Sequence, residues 1–587
     1  MKAFALYLVF SVLCGLTQAQ YYMRGEVKDE KNFPLQNARI FVHSSRSYFY
    51  SGTYGGFGIT VPRLYDSITV TLDGYEPLTI KVKADLWQTI ILKISSSNQS
   101  RNRPKFISQT KDMARSDRLK WFPGDESYFQ LVENNYVDAK KYPNTGYGLN
   151  VNKASYSNVR RFLNQGSPVP PDAVRVEEII NYFGLGYEKP DSSKSFKISS
   201  QLTDCPWDIK KQLLILAVSA KKIPLDSIPP GNFVFLIDVS GSMDMPNRLP
   251  LLQAAFKMFV NNLRPIDTVS IVTYGGSVGI WLQPTSGSNK AKIIESIESL
   301  VAAGDTPGES AIRAAYRLAQ STFIKNGNNR VILATDGDFN VGETSEKSLD
   351  ELITKQRQSG VYLTCLGVGM GNFKDSKLQI LSKKGNGNYA YLDDIREAEK
   401  VLVKELTQTL YSVGDDVLMN VSFEPARVKE YRLIGFENKK EAVSDSSSVL
   451  EGGEVGSGEN TIAIFEIIPN QNEDTSLHPC LAYLSLSYYN PGDTIRKYLA
   501  YDVMNNYQPA DSLSQPYRFV IAATLFGMKL KQSDYFPNNF EFNSIKSFAE
   551  MAADKNVYLE EEFLSLIDKA KNIYEVKKKR KFRWKKD

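Results

Sequence analysis

The stretch Asp238-Val-Ser-Gly-Ser-Met243, directly after the apolar run Phe233-Val-Phe-Leu-Ile237, decides how this 587-residue chain is read. Five consecutive apolar residues that stop at a small, polar, glycine-containing turn predict a buried parallel strand ending in a loop. Asp238, Ser240 and Ser242 then share one short loop at a spacing of two. Such a loop can aim three oxygen-bearing side chains at one point, and carboxylate and hydroxyl oxygens suit a hard cation such as Mg²⁺ or Mn²⁺. Aspartate and serine are also common turn residues, so the pattern alone leaves a plain turn open.

Outward from this loop, strands and helices alternate from Gly231 to about Ser412. Strand-like runs Phe233–Ile237, Thr268–Thr273, Val331–Ala334 and Tyr362–Leu366 are separated by amphipathic segments at 251–263, 311–323 and 349–358. This alternation predicts a mostly parallel, doubly wound sheet with helices on both faces and a ligand site beyond the carboxyl ends of its strands. Gly304-Asp-Thr-Pro-Gly308 precedes a helix, and Thr335-Asp-Gly-Asp338 follows a strand, so both loops can reach the edge that carries Asp238.

The three loops together resemble the metal-ion-dependent adhesion site (MIDAS) of von Willebrand factor A-type (VWA) domains. The resemblance implies Asp238, Ser240 and Ser242 as the first segment, Thr306 as the second and Asp336 as the third. It also implies that hydroxyls bind the ion directly while one or both aspartates act through water. Asp338 reads equally as a tuning residue or a turn residue. An ion held mainly by neutral hydroxyls stays electropositive and keeps a position open for an anion, so the expected partner is a protein with an exposed Asp or Glu. No general base accompanies these loops, and the expected role is binding, with no catalytic residues. Gly367-Val-Gly-Met-Gly371 hints at a dinucleotide loop, but Asn372 stands where the third glycine belongs; relief of backbone strain is the simpler reading.

The flanks extend the resemblance. Residues 20–96 hold short alternating strands, and Gly25-Glu-Val-Lys-Asp29, Gly55-Gly-Phe57 and Asp73-Gly-Tyr-Glu76 resemble the carboxypeptidase regulatory-like β-sandwich. Residues 97–120 read as a polar linker. Residues 121–228 resemble the N-terminal accessory domain of one bacterial VWA group, which usually has aspartates at two positions where this chain has Asn150 and Asn152. That substitution argues against an accessory cation site there. The VWA domain is expected over 229–412 and a C-terminal β-plus-helical accessory domain over 413–576. Apolar strand-like runs on either side of the VWA domain, such as Leu213–Val218 and Thr461–Ile467, do not close a sandwich separately and are expected to pair across it.

Composition narrows the setting. Lys2, the apolar run from Ala3 to Leu16 and Thr17-Gln-Ala19 describe a signal peptide over 1–19 and hence an exported product, in the periplasm or at the cell surface. No other stretch is apolar enough to predict a membrane span. His43 and His478 are the only histidines, far apart, which disfavours His-based zinc or nucleophile chemistry. Cys205 and Cys480 can pair in an oxidising compartment, whereas Cys365 reads as a buried strand thiol. Residues 577–587 carry eight Lys or Arg and one Asp, which supply the net charge of +5 and leave the rest of the chain slightly acidic. This tail reads first as a solvated terminus and second as a weak contact for an anionic surface; no nucleic-acid partner is expected. The competing functional reading is a cell-envelope scaffold in which the metal only orders loops.

Overall fold

The computed structural model describes residues 21–583 apart from 30–31, 33, 36–37, 53, 73–74, 94–125, 127, 129–130, 192, 225–226, 276–277, 305–307, 338–352, 371–372, 437–451 and 471–478, with no side-chain description for 308–309 and 576–583. The segments read as signal peptide and linker lie outside the described residues. The described chain falls into two compact units, a small N-terminal β-sandwich and the portion that follows it.

In the first unit, strands β1 (Tyr21–Asp29), β2 (Arg39–Val42), β3 (Ser47–Tyr50), β4 (Gly56–Val61), β5 (Tyr65–Thr71), β6 (Leu78–Lys83) and β7 (Trp87–Leu92) form two sheets, ordered β4-β1-β7 and β3-β2-β5-β6. Alternate residues point inward, as Phe57, Ile59 and Val61 do on β4, and the two inner faces share one core around Met23, Ile40 and Val70.

The second unit is built on apolar strands from both sides of the central segment. Strands β8 (Val137–Asp138), β9 (Asn144–Gly148), β10 (Phe196–Asp204) and β11 (Gln212–Ala220) come before it. Strands β18 (Ser412–Phe423), β19 (Val428–Ile434), β20 (Gly453–Gly456), β21 (Asn460–Pro469), β22 (Cys480–Tyr489) and β23 (Arg496–Met504) come after. They form two five-stranded sheets, β10-β11-β21-β19-β8 and β20-β18-β22-β23, the latter joined by β9 on β18. Strand β11 runs antiparallel to β21 with Leu214 opposite Phe465 and Leu216 opposite Ala463. The flanks therefore pair across the central segment, because neither can bury its apolar strands alone.

Eight of the nine residues of β11 are buried, since both of its faces are covered. Leu214, Leu216 and Phe465 face the second sheet through Met419 and Leu484. Leu213, Ile215 and Ile464 face a helical layer that contains Val176, Ile179, Phe519 and Phe563. This layer draws on helices Ala154–Asn164, Val176–Ile180, Gln515–Lys531, Phe542–Ala552 and Tyr558–Arg583. The last of these takes in residues 577–583, so the start of the basic tail continues a helix where a frayed end was expected.

The central segment is an α/β domain whose sheet runs β14-β13-β12-β15-β16-β17. The strands are β12 (Gly231–Asp238), β13 (Thr268–Tyr274), β14 (Val278–Ser286), β15 (Asn328–Thr335), β16 (Val361–Val368) and β17 (Tyr389–Leu392). Strand β12 is parallel to β13 and β15, β15 to β16, and β16 to β17. Every residue of β12 and β15 is buried, as two central strands covered on both faces require.

Buried ion pairs fasten this domain to the helical layer. Arg160 donates from Nε to Asp393 Oδ2 at 2.8 Å, from Nη2 to Glu397 Oε2 at 2.6 Å, and from Nη1 to Glu562 Oε2 at 3.1 Å. Arg175 joins Glu178 on its own helix to Asp375 of the α/β domain, with Nη1 2.7 Å from Asp375 Oδ2. Asn152 accepts from the backbone N of Tyr389 on β17 at 3.0 Å, so this position serves a joint between segments.

Cys205 and Cys480, for which sequence left pairing open, are not joined: Cys205, Cys365 and Cys480 are all free and buried. Cys205 follows β10 and packs into the core beneath the helical layer, whereas Cys480 opens β22 in the other sheet, with Met504 Sδ 3.8 Å from its sulfur. Burial pushes the Cys205 and Cys365 thiols far above their ordinary range, which leaves them unreactive.

Candidate metal site at the carboxyl edge of the parallel sheet

Strands β12 and β15 lie side by side with Ile237 opposite Ala334, so the residues that follow them, Asp238 and Thr335-Asp336, emerge at one edge. Asp238 ends β12 and is fully buried. Its Oδ1 accepts from the backbone N of Ser240 at 2.9 Å, and its Oδ2 accepts from Thr335 Oγ1 at 2.8 Å. Both carboxylate oxygens are thus aimed by neighbouring loops. The Ser240 and Ser242 hydroxyls are 3.1 Å apart on the turn that follows. Asp336, also fully buried, stands on the adjacent strand end.

The loop that carries Thr306 is fastened to the same place. Gly241 N donates to Gly304 O at 2.9 Å, and Ala303 N donates to Val239 O at 2.6 Å. Thr306 itself, like Asp338, lies outside the described residues. Of the five residues named from sequence, the structure gathers Asp238, Ser240, Ser242 and Asp336 at one edge and brings the backbone just before Thr306 against them.

The electrostatics of this edge are those of buried anions. Burial pushes the Asp238 carboxyl up to about 6, and the nearby Asp336 adds to the rise, while hydrogen bonds from Ser240 and Thr335 pull the other way. Tyr274, opposite Asp238 on β13, has its phenol raised well above the ordinary range by burial and by the same carboxylate. A hard divalent cation supplies the charge such a cluster favours, and hydroxyl and carboxylate oxygens are the donors it takes. The residues fit a Mg²⁺ or Mn²⁺ ion on both counts. Among the described residues no group of three or more His, Cys, Asp or Glu side chains is placed to hold a metal. A site built on serine hydroxyls and two aspartates does not depend on such a group.

Arg248 is the residue that the sequence reading missed. It is 4% exposed and stands directly ahead of helix Leu249–Asn261. Its Nη1 donates to Ser242 O at 2.8 Å and to Asp336 Oδ2 at 2.5 Å, and its Nη2 donates to Met370 O at 2.8 Å. One guanidinium thereby ties the first and third segments to the loop after β16. The glycine-rich end of β16 makes room for it: Gly369 has φ +82°, and a Cβ there would lie 2.5 Å from Arg248 Nε. That loop continues toward the helical layer through Tyr391, whose hydroxyl donates to Gly369 O and whose ring lies 5.3 Å from the Arg161 guanidinium. A signal for Arg248 was present in sequence, because a cation at a helix N-terminus opposes the helix dipole and needs a carboxylate partner.

The chain matches the von Willebrand factor type A domain over residues 232–405, the von Willebrand factor family vWF_A over 123–215, and the family of the YfbK C-terminal region over 408–573. It is 37% identical over 478 residues to the protein YfbK of Escherichia coli (strain K12), which covers 77% of this chain and 82% of that protein. Inter-alpha-trypsin inhibitor heavy chain H2 of Homo sapiens is 26% identical over 207 residues, 34% of this chain and 21% of that protein. A solved von Willebrand factor type A protein from Catenulispora acidiphila aligns over 54% of this chain and 74% of that one, with 13% identity and a TM-score of 0.37. VWA domains mediate protein–protein interaction, often with a divalent cation. No helix among the described residues is long and apolar enough to cross a membrane. The chain belongs to the YfbK family of VWA-domain proteins, with the C-terminal domain of that family following the VWA domain.

Proposed function

We propose that this protein is an exported binding protein that holds a divalent cation at the edge formed by Asp238, Ser240, Ser242 and Asp336, and through it takes an Asp or Glu carboxylate of a protein partner. The observation that carries this reading is the convergence of two buried aspartates and two serine hydroxyls 3.1 Å apart at the carboxyl ends of adjacent parallel strands. Ser240 and Ser242, with Thr306, would hold Mg²⁺ or Mn²⁺ directly, and one or both of Asp238 and Asp336 would act through water. When bound, the ion supplies a Lewis-acidic position that a carboxylate can occupy.

Binding is favoured over turnover by how the two carboxylates are used. Asp238 is engaged by Ser240 N and Thr335, and Asp336 by Arg248, so neither is aimed as a proton acceptor for an attacking water. Export rests on the leader-like residues 1–19, and the N-terminal sandwich, read as a carboxypeptidase regulatory-like module, belongs to the same picture of an envelope protein.

The test is capture of partner proteins from envelope extracts by immobilised full-length protein, with and without a chelator. Capture that is released by EDTA and lost in Asp238→Ala supports the proposal. Capture that is indifferent to both assigns the chain to the scaffold role.

A further inference from the structure

We propose that the cavity where the VWA domain meets its two flanks binds a ligand presenting a primary ammonium group, with Glu177 and Gln379 as its acceptors. None of the metal-site residues lines this cavity, and the inference does not rest on the metal-dependent reading.

The cavity has a volume of about 100 Å³. Glu177 lines it from helix Val176–Ile180, Gln379 and Lys383 from helix Asp375–Lys384 of the VWA domain, Asn150 from the segment after β9, and Phe436 from the turn after β19. A ligand there touches the VWA domain and the accessory domains on both sides of it. Glu177 is 8% exposed, and its Oε2 is buried with no hydrogen-bond partner. No ion pair among the described residues reaches this carboxylate. Its neighbour Glu178 is in the opposite state, accepting from Arg175 Nε and from the backbone N of Ser155. Across the cavity, Gln379 Oε1 is likewise buried without a partner. The Glu177 carboxylate is fixed by close packing: a Cβ at Gly435, where φ is +73°, would lie 2.6 Å from its Oε2.

Buried acceptors without donors are costly, a carboxylate most of all. Water is a poor account of the space, because one water needs roughly 10–15 Å³ and one or two on these acceptors would leave most of the cavity empty. An ammonium brings one positive charge and three N–H donors, enough to serve Glu177 and Gln379 together. A divalent metal fits less well, since Asn150 and Asn152 on the same wall are neutral and Glu178 is already engaged. Arg357 and Lys383 also line the cavity, and neither pairs with Glu177. A ligand that carries a carboxylate beside its ammonium therefore finds a counterpart for each end. The ammonium can come from a free amino acid or from a lysine side chain.

The experiment is ligand-observed saturation-transfer NMR on full-length protein, wild type and Glu177→Gln, titrated with methylammonium, glycine, Nα-acetyllysine amide and tetramethylammonium. The expected result is saturable binding of methylammonium to the wild type, weakened about tenfold or more in Glu177→Gln, which keeps the side chain's shape and removes its charge. Tetramethylammonium has the charge without N–H donors and should show no saturable binding. Glycine binding more tightly than methylammonium supports the proposal with a free amino acid as the source. Nα-acetyllysine amide binding more tightly supports it with a lysine side chain as the source. Absence of saturable binding by methylammonium, glycine and Nα-acetyllysine amide alike overturns the proposal, as does binding that a folded Glu177→Gln leaves unchanged. If Glu177→Gln does not fold, tetramethylammonium binding the wild type as tightly as methylammonium overturns it equally.

Discussion

Replacing Arg160 by methionine should loosen the VWA domain from the rest of the second unit. The Arg160 side chain is 3% exposed and faces three carboxylates, Asp393 at 7%, Glu397 at 2% and Glu562 at 10%. Two of these come from the VWA domain and one from the last helix, so the substitution strands charges on both sides of a joint. Removing one partner of a buried ion pair typically costs about 3–5 kcal/mol, mostly through the charges left behind. The upper part of that range is expected here, because more than one carboxylate loses its cation. The loss should also depend on pH. Burial already pushes the Asp393 carboxyl up to about 6 with Arg160 present. Without the guanidinium, which holds it down, the Asp393 carboxyl should rise further above its unfolded value. Groups raised in this way stabilise the fold below the unfolded pKa and lose that contribution as pH rises through the folded one. The deficit of Arg160→Met should therefore be largest above pH 7 and shrink toward pH 5. Urea unfolding followed by circular dichroism at pH 5, 6, 7 and 8 measures both quantities. A loss below about 1 kcal/mol, or a loss that does not vary with pH, would refute the reasoning.

Glu454 tests the same physics at a single group. It is 4% exposed, its carboxyl is pushed up to about 7 by burial, and Arg330 Nη2 lies 3.2 Å from its Oε2. Its contribution to stability is complete below the unfolded value and is lost as pH rises through about 7. Glu454→Gln should accordingly flatten the decline in wild-type stability between pH 5 and 8, by on the order of 3 kcal/mol in urea titrations. The three buried thiols should resist a thiol reagent in the native state, and denaturation without reductant should expose Cys205, Cys365 and Cys480 together. A count of one would restore the Cys205–Cys480 disulfide.

Much of this architecture is legible in sequence because it rests on local pattern. The run Phe233–Ile237 and the polar turn after it specify β12 and its loop, and the run Val331–Ala334 does the same for β15. The apolar runs at 213–218 and 461–467 demand partners that neither flank supplies, which is enough to predict pairing across the VWA domain. What escaped notice depends on distant contacts. Helix Ala154–Asn164 buries ten of its eleven residues, among them Ser155, Asn158, Arg160 and Arg161. Periodicity assigns such residues to solvent, and partners outside the helix make their burial tolerable: Glu178 for Ser155, Glu126 for Arg161, and Asp393 and Glu397, more than two hundred positions away, for Arg160. Strand β14 was missed because most of it is at least partly exposed, and β17 because four residues carry little pattern. Arg248 went unread since its carboxylate partner lies 88 positions along the chain.

Calorimetric titration of Mg²⁺ and Mn²⁺ into chelator-stripped protein, with Asp238→Ala beside the wild type and acetate present in a parallel series, tests the central claim most directly. The account predicts ion binding by the wild type, stronger with acetate, and none by Asp238→Ala while that variant keeps its fold by circular dichroism. Equal binding by both proteins, or none by the wild type even with acetate, would contradict a metal-dependent site on this edge of the sheet.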